Sequence, residues 1–164
     1  MAVNDRLKRY LDQERAAYDT VPHREVFTAR EVAAESHVAE RQLAKVLAVG
    51  EEGNGHLMVV LPAACRLDLN ALRHAAGRHR LSLVQEDEMG RLFPDCEIGA
   101  MPPFGHLYGM PVYVDACFPR APTIVFQAGN HHEVVRMPYA EYVRLAKPVL
   151  GEFCLHEREQ SITE

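Results

Sequence analysis

Lys45 interrupts the run Leu43-Ala44-Lys45-Val46-Leu47-Ala48-Val49, which otherwise has the composition of a buried strand. Desolvating an ammonium is costly, so lysine is seldom buried without a partner. Strand alternation gives Lys45 the same face as Leu43, Leu47 and Val49. It therefore lies either at the mouth of a pocket or on an edge strand with one wet side. Further along stands the loop Gly99-Ala100-Met101-Pro102-Pro103-Phe104-Gly105. Its glycines allow positive φ and close approach of a ligand, while its prolines fix φ and remove two N–H donors. A cation on a rigid strand and a stiff backbone loop together suit a small anionic or ester-bearing ligand.

These residues need elements to position them. The spacing of Leu7, Tyr10 and Leu11 predicts an amphipathic helix over 4–17, with Asn4 or Asp5 as its cap. Residues 18–24 read as extended. Thr28 and Glu31 form a capping-box pattern and start a helix over 29–36, with a further turn at 38–42. The Lys45 strand and a strand over 56–62 flank the turn-forming residues 51–55, which predicts a hairpin. Asp68 caps a helix over 69–76 that Gly77 ends. Residues 80–84 are extended, and a short helix covers 85–93. Strands follow at 111–115, 123–128 and 133–137, the last two joined by Gly129-Asn130-His131-His132. Pro138 starts a final helix to about residue 147, and the polar tail 156–164 frays. Helices and strands mix without a regular βαβ rhythm. The expected fold is α+β, one domain over 1–164 with a mixed, largely antiparallel sheet curled toward a barrel and surrounded by helices.

Composition excludes several function classes. The 164 residues carry a net charge of −5, so the molecule as a whole does not attract nucleic acid. RNA contact requires a local patch, and Arg66, Arg73, His74, Arg78, His79 and Arg80 supply one; Arg6, Lys8 and Arg9 form a smaller one. No apolar stretch is long enough to span a membrane, and the first residues lack an apolar signal-peptide core, which points to the cytoplasm. The four cysteines, Cys65, Cys96, Cys117 and Cys154, are widely spaced and read as reduced thiols. A metal site drawn from His131, His132, Cys96, His106 or Cys117 lacks the paired spacing of the usual zinc motifs. No nucleophile with an adjacent base is evident, which disfavours a covalent hydrolase.

The stretch from Val26 to Ala34, the Leu43–Leu47 run, the Gly99–Gly105 loop, Val112–Asp115, Phe126–Asn130 and Met137-Pro138-Tyr139 occur in an order that resembles the YbaK/ProX aminoacyl-tRNA deacylase family, over about residues 20–150. The resemblance implies a compact barrel-like domain that edits mischarged tRNA in trans by hydrolysing its aminoacyl ester, without a cofactor. It implies the acceptor end of mischarged aminoacyl-tRNA as substrate, and an aminoacyl-tRNA synthetase as a further partner. Its lysine maps onto Lys45, its G-x-x-x-P loop onto Gly99 and Pro103, its aromatic before the Thr-Ala helix start onto Phe27, and its late glycine turn onto Gly129 and Asn130. His131 and His132 depart from the commonest form of that turn. Members differ in preference among alanyl, cysteinyl and seryl esters, so the amino acid stays open.

On that reading Lys45 and Gly99 are catalytic. Lys45 binds the terminal phosphate or stabilises the oxyanion, work for which one fixed donor is worth about 3 kcal/mol. Carbonyls left over in the loop accept from the substrate's α-ammonium. Met101 and Phe104 form the wall that limits side-chain size, and Pro102 and Pro103 belong to the substrate-binding loop. Phe27 either stacks on the terminal adenine or staples its helix against Val32. Gly129, Asn130 and His131 complete the binding set, with the turn histidines projecting outward. Asp115 either holds Lys45 or serves a turn. A non-catalytic module that only captures aminoacyl-tRNA or a small ligand is the alternative.

Overall fold

The computed structural model describes residues 4–37, 39, 41–51, 53, 55–118 and 122–156. Among these residues ten strands and five helices follow one another as α1 (Asp5–Gln13), β1 (Asp19–Pro22), α2 (Ala29–Glu35), β2 (Ala44–Gly50), β3 (His56–Pro62), β4 (Cys65–Leu67), α3 (Leu69–Ala76), β5 (Ser82–Leu83), α4 (Glu86–Leu92), β6 (Val112–Asp115), β7 (Thr123–Gln127), β8 (Glu133–Pro138), α5 (Tyr139–Ala146), β9 (Val149–Gly151) and β10 (Cys154–His156). A 3₁₀ turn, Gly105–Tyr108, closes the glycine-proline loop.

Local chemistry accounts for most boundaries. The Asn4 side chain accepts the Leu7 N–H and caps α1. Thr28 and Glu31 exchange the reciprocal bonds of a capping box at α2. Asp68 caps α3, and Gly77 ends it at φ 66°. The first helix is shorter than its apolar spacing predicts. It stops at Gln13, and Arg15 turns the chain at φ 55°. The turn expected at 38–42 and the hairpin turn at 51–55 lie partly outside the described residues, and the tail expected to fray lies outside them from residue 157.

A five-stranded sheet runs in the order β5-β2-β3-β6-β9, a three-stranded sheet in the order β1-β8-β7, and β4 pairs with β10. Both expected hairpins form, β2 with β3 and β7 with β8, and among the described strand ladders only β3–β6 and β6–β9 are parallel. Among the described residues one parallel bridge, Leu43 to Val125, links the two larger sheets, and the Val125 N–H donates to the Gln42 carbonyl at 2.9 Å. The expected mixed, largely antiparallel sheet is therefore present.

Alternation sorts the core into three clusters. Ala44, Met58, Val60, Val114, Phe126 and Met137 fill the interior with Leu7 and Leu11 of α1 and Tyr142 of α5. Val49, Leu57, Val59 and Leu61 cover the outer face of the larger sheet with Leu72 of α3. Val125 and Val134 pack under Val32 and Ala33 of α2, together with Leu43 and Val26. The cysteine reading needs correction: Cys65 and Cys154 form a disulfide between β4 and β10. Those short strands and β9 carry too few residues for alternation to announce them.

Candidate functional site

Lys45 is half-buried on β2, directly across from Leu61. Residues directly opposite in an antiparallel ladder share a face. Lys45 therefore lies on the outer face, between Leu43 of the cluster under α2 and Leu47 of the cluster under α3. The Leu43–Val125 bridge adds a second constraint. Lys45 stands two residues beyond Leu43, and Gln127 stands two residues beyond Val125. Period-two alternation gives both side chains the face of the bridge partners. Among the described residues that bridge is the whole ladder between β2 and β7, so Lys45 and Gln127 flank the place where pairing stops.

Gln127 ties this place to the glycine-proline loop. Its Nε2 donates to the Gly99 carbonyl at 3.1 Å. Gly99 adopts φ 90°, a conformation that L side chains rarely take. The imidazole of His131 lies against it: a Cβ built on Gly99 would stand 3.5 Å from His131 Cε1. His131 Nε2 is 2.8 Å from the Ile98 carbonyl, and its backbone N–H donates to Glu97 Oε1 at 3.0 Å. A carbonyl only accepts, so Nε2 carries the hydrogen, and in the neutral ring Nδ1 then presents a lone pair. His131 Nδ1 and Gln127 Oε1 are both buried without a hydrogen-bond partner. Two acceptor atoms are thus held on the two residues that grip the Ile98 and Gly99 carbonyls.

Phe27 completes the group. Its ring centroid is 4.9 Å from that of His131, and the side chain is 64% exposed. The staple reading fails, because Val26 rather than Phe27 packs with Val32. An exposed aromatic ring standing on a buried imidazole offers a stacking platform at the rim. His131 itself is only 6% exposed and does not project outward as a turn histidine was expected to.

The remaining predicted residues serve the frame. Met101 and Phe104 lie in the interior core rather than on a wall open to a ligand. Phe104 makes edge contacts with Tyr10, Phe126 and Tyr142. Pro102 and Pro103 are buried as well. Three of the loop's carbonyls already have partners: Ala100 accepts from Gly129 N–H, Pro102 from Phe104 N–H, and Pro103 from the Tyr142 hydroxyl. Gly129 adopts φ 95°, and a Cβ there would meet Asn4 Cβ at 2.8 Å. Asn130 Oδ1 accepts the His132 N–H at 3.0 Å and shapes the turn. Gly129, Asn130 and His132 also line a cleft of about 550 Å³ with Asn4, Arg6 and Asp95; Lys45, Gly99 and Phe27 are not among its walls. Asp115 serves a turn, accepting from Cys117 and Phe153 N–H groups.

Two residues escaped the sequence reading. Gln127 ends the apolar run of β7, and its signal is a buried carboxamide closing a β-branched and aromatic strand. Glu97 precedes the glycine loop and shows no signal beyond its position. The first basic patch is partly committed to the fold, since Arg73 donates to the Leu81 carbonyl and Arg78 pairs with Glu51. Arg78, His79 and Arg80 line a shallow cleft of about 460 Å³.

The model of the aminoacyl-tRNA editing domain matches residues 23–145, and the chain belongs to that family. It is 33% identical over 154 residues to the multifunctional Ser/Thr-tRNA deacylase ProXp-y of Escherichia coli K12, covering 92% of each chain. In structure it is similar to a hypothetical protein (TM-score 0.84, 20% identity, 92% of this chain and all of the other). It is also similar to a candidate trans-editing enzyme for prolyl tRNA synthetase (TM-score 0.79, 22% identity, 92% and 95% covered). These last two likenesses bear on the fold. Among the described residues no helix is long and apolar enough to cross a membrane.

Proposed function

We propose that this chain hydrolyses the ester of mischarged aminoacyl-tRNA in trans, with Lys45 and the Gly99 loop as its reaction centre. The E. coli relative, named as a deacylase of Ser/Thr-tRNA, aligns over 92% of its own length, which supports an enzyme of the same kind. Small hydroxylated aminoacyl groups are the substrates this favours, in the cytoplasm where tRNA is charged. A synthetase would be the source of the mischarged tRNA.

The observation that carries the site reading is a register. Lys45 and Gln127 stand at equal offset from the Leu43–Val125 bridge, and Gln127 grips the Gly99 carbonyl. In the reaction, water attacks the ester carbonyl, the C–O bond to the ribose breaks, and the ribose oxygen leaves with a proton. Charge develops on the carbonyl oxygen or resides on the neighbouring phosphate, and the Lys45 ammonium stabilises it. Such a donor acts in a partly desolvated site, where its loss costs about 10²- to 10³-fold in rate. The acceptors Gln127 Oε1 and His131 Nδ1 suit the α-ammonium, a side-chain hydroxyl or the attacking water. Phe27 stacks on the terminal adenine.

A panel of tRNAs charged with serine, threonine, alanine and cysteine, offered to the wild type and to Lys45→Ala, tests the proposal. Release of seryl or threonyl groups by the wild type, lost in a folded variant, supports it. Equal release by both proteins would remove Lys45 from the mechanism, and no release from any tRNA would leave a capture module.

A further inference from the structure

Away from that site, three cysteines from separate segments converge. Cys65 lies on β4, Cys154 on β10, and Cys117 in the turn after β6, and their sulfur atoms lie within 4.8 Å of one another. Two of them are joined as the disulfide, and Cys117 keeps its thiol beside it. Among the described residues this is the one group of three with metal-ligating character, and it shares only Cys117 with the set imagined from the sequence.

The convergence is built. The Asp115 carboxylate accepts the Cys117 N–H at 3.0 Å through one oxygen and the Phe153 N–H at 2.8 Å through the other. Asp115 is 2% exposed. One buried carboxylate thus fixes the backbone at Cys117 and immediately before Cys154. The β4–β10 ladder fixes Cys65 against Cys154, and Cys65 is anchored in the cluster with Leu61, Leu72 and Phe153. Cys117 and Cys154 are half-buried, so the group is reachable from solvent.

We propose that, when the Cys65–Cys154 bond is reduced, Cys65, Cys117 and Cys154 form a three-thiolate site for a thiophilic d¹⁰ cation, with zinc as its probe. A phosphine reductant supplies the two electrons and leaves as its oxide, and one water supplies that oxygen and the two protons that convert the disulfide to two thiols. Binding then displaces the thiol protons and forms three metal–sulfur bonds. Zinc–sulfur bonds of about 2.3 Å set tetrahedral thiolates about 3.8 Å apart, so Cys117 is already near ligand spacing from the other two sulfurs, which must separate from bonding distance once reduced. Soft thiolates select zinc or copper(I) over magnesium or calcium. The disulfide and the metal are alternative clasps on the same β4–β10 pair, one for an oxidised chain and one for a reduced chain.

The test is zinc titration of the full chain in competition with a chromophoric chelator, under anaerobic phosphine reductant. Expected are one equivalent bound to the reduced wild type, none to the oxidised protein, and binding weakened about hundredfold or more in Cys117→Ser, since losing a direct ligand costs at least what losing an outer-shell partner does. Cys96→Ser should bind as the wild type. Cobalt(II) offered to the reduced wild type should give thiolate-to-metal charge-transfer absorption, a readout that does not depend on any variant folding. Less than stoichiometric zinc on the reduced wild type, or undiminished binding by folded Cys117→Ser, overturns the proposal.

Discussion

Gln127 and Gly99 are joined by one hydrogen bond, the carboxamide Nε2 to the Gly99 carbonyl at 3.1 Å. It connects the end of a core strand to the loop whose backbone is held at φ 90°. The same carboxamide leaves its oxygen buried without a partner. An interaction that both holds the loop and presents an acceptor should matter more to turnover than to folding.

Gln127→Leu removes both. A neutral hydrogen bond is worth roughly 1 kcal/mol net, and 1.4 kcal/mol is tenfold. The expected outcome is a fall of about tenfold or more in kcat/KM on seryl-tRNA, with the thermal midpoint within a few degrees of wild type. Loss of stability in proportion to activity would make Gln127 a packing residue only.

Phe27→Ala separates binding from chemistry. The ring is largely exposed, so its removal should leave the melting temperature nearly unchanged. Base–aromatic stacking is worth about 1–3 kcal/mol, so KM should rise by about tenfold or more while kcat changes less. An unchanged KM would remove the stacking role.

Phe104→Ala behaves in the opposite way. Its side chain is fully buried among Tyr10, Phe126 and Tyr142. Truncation of such a ring costs about 3–5 kcal/mol of stability, measured by denaturant unfolding. Retained stability with altered amino-acid preference would instead restore Phe104 as a substrate wall.

Cys96 gives a pH signature. Burial, opposed in part by the Tyr108 hydroxyl 3.3 Å away, pushes its thiol up from 9.0 to about 11. The folded value is raised, so the contribution to stability is present below pH 9 and fades as pH rises through 11. Alkylation followed by mass spectrometry should find Cys96 slow at pH 8 in the folded chain and fast after denaturation. Rapid labelling of the folded chain at pH 8 contradicts this.

The frame was legible where the signal is local. The Thr28–Glu31 box, Asp68, Gly77 and both hairpins appear where side-chain chemistry calls for them. Elements that owe their existence to distant partners were not legible, namely β4, β9, β10 and the Cys65–Cys154 bond. At the candidate site, Lys45 and Gly99 announced themselves as local oddities, a charge in an apolar run and a glycine in a proline loop. Gln127 did not, because its meaning comes from a carbonyl twenty-eight residues away that only folding brings near. Met101 and Phe104 are buried in the core, and sequence could not show this, because apolar residues in a loop look the same whether they face a ligand or a core.

The most direct measurement is single-turnover deacylation of seryl-tRNA at saturating enzyme, comparing wild type with Lys45→Ala and Lys45→Arg. The account predicts a fall of about 10²-fold or more in the rate constant for Lys45→Ala, partial recovery with Lys45→Arg, and native far-ultraviolet circular dichroism in both. A rate constant for folded Lys45→Ala equal to that of the wild type would contradict it.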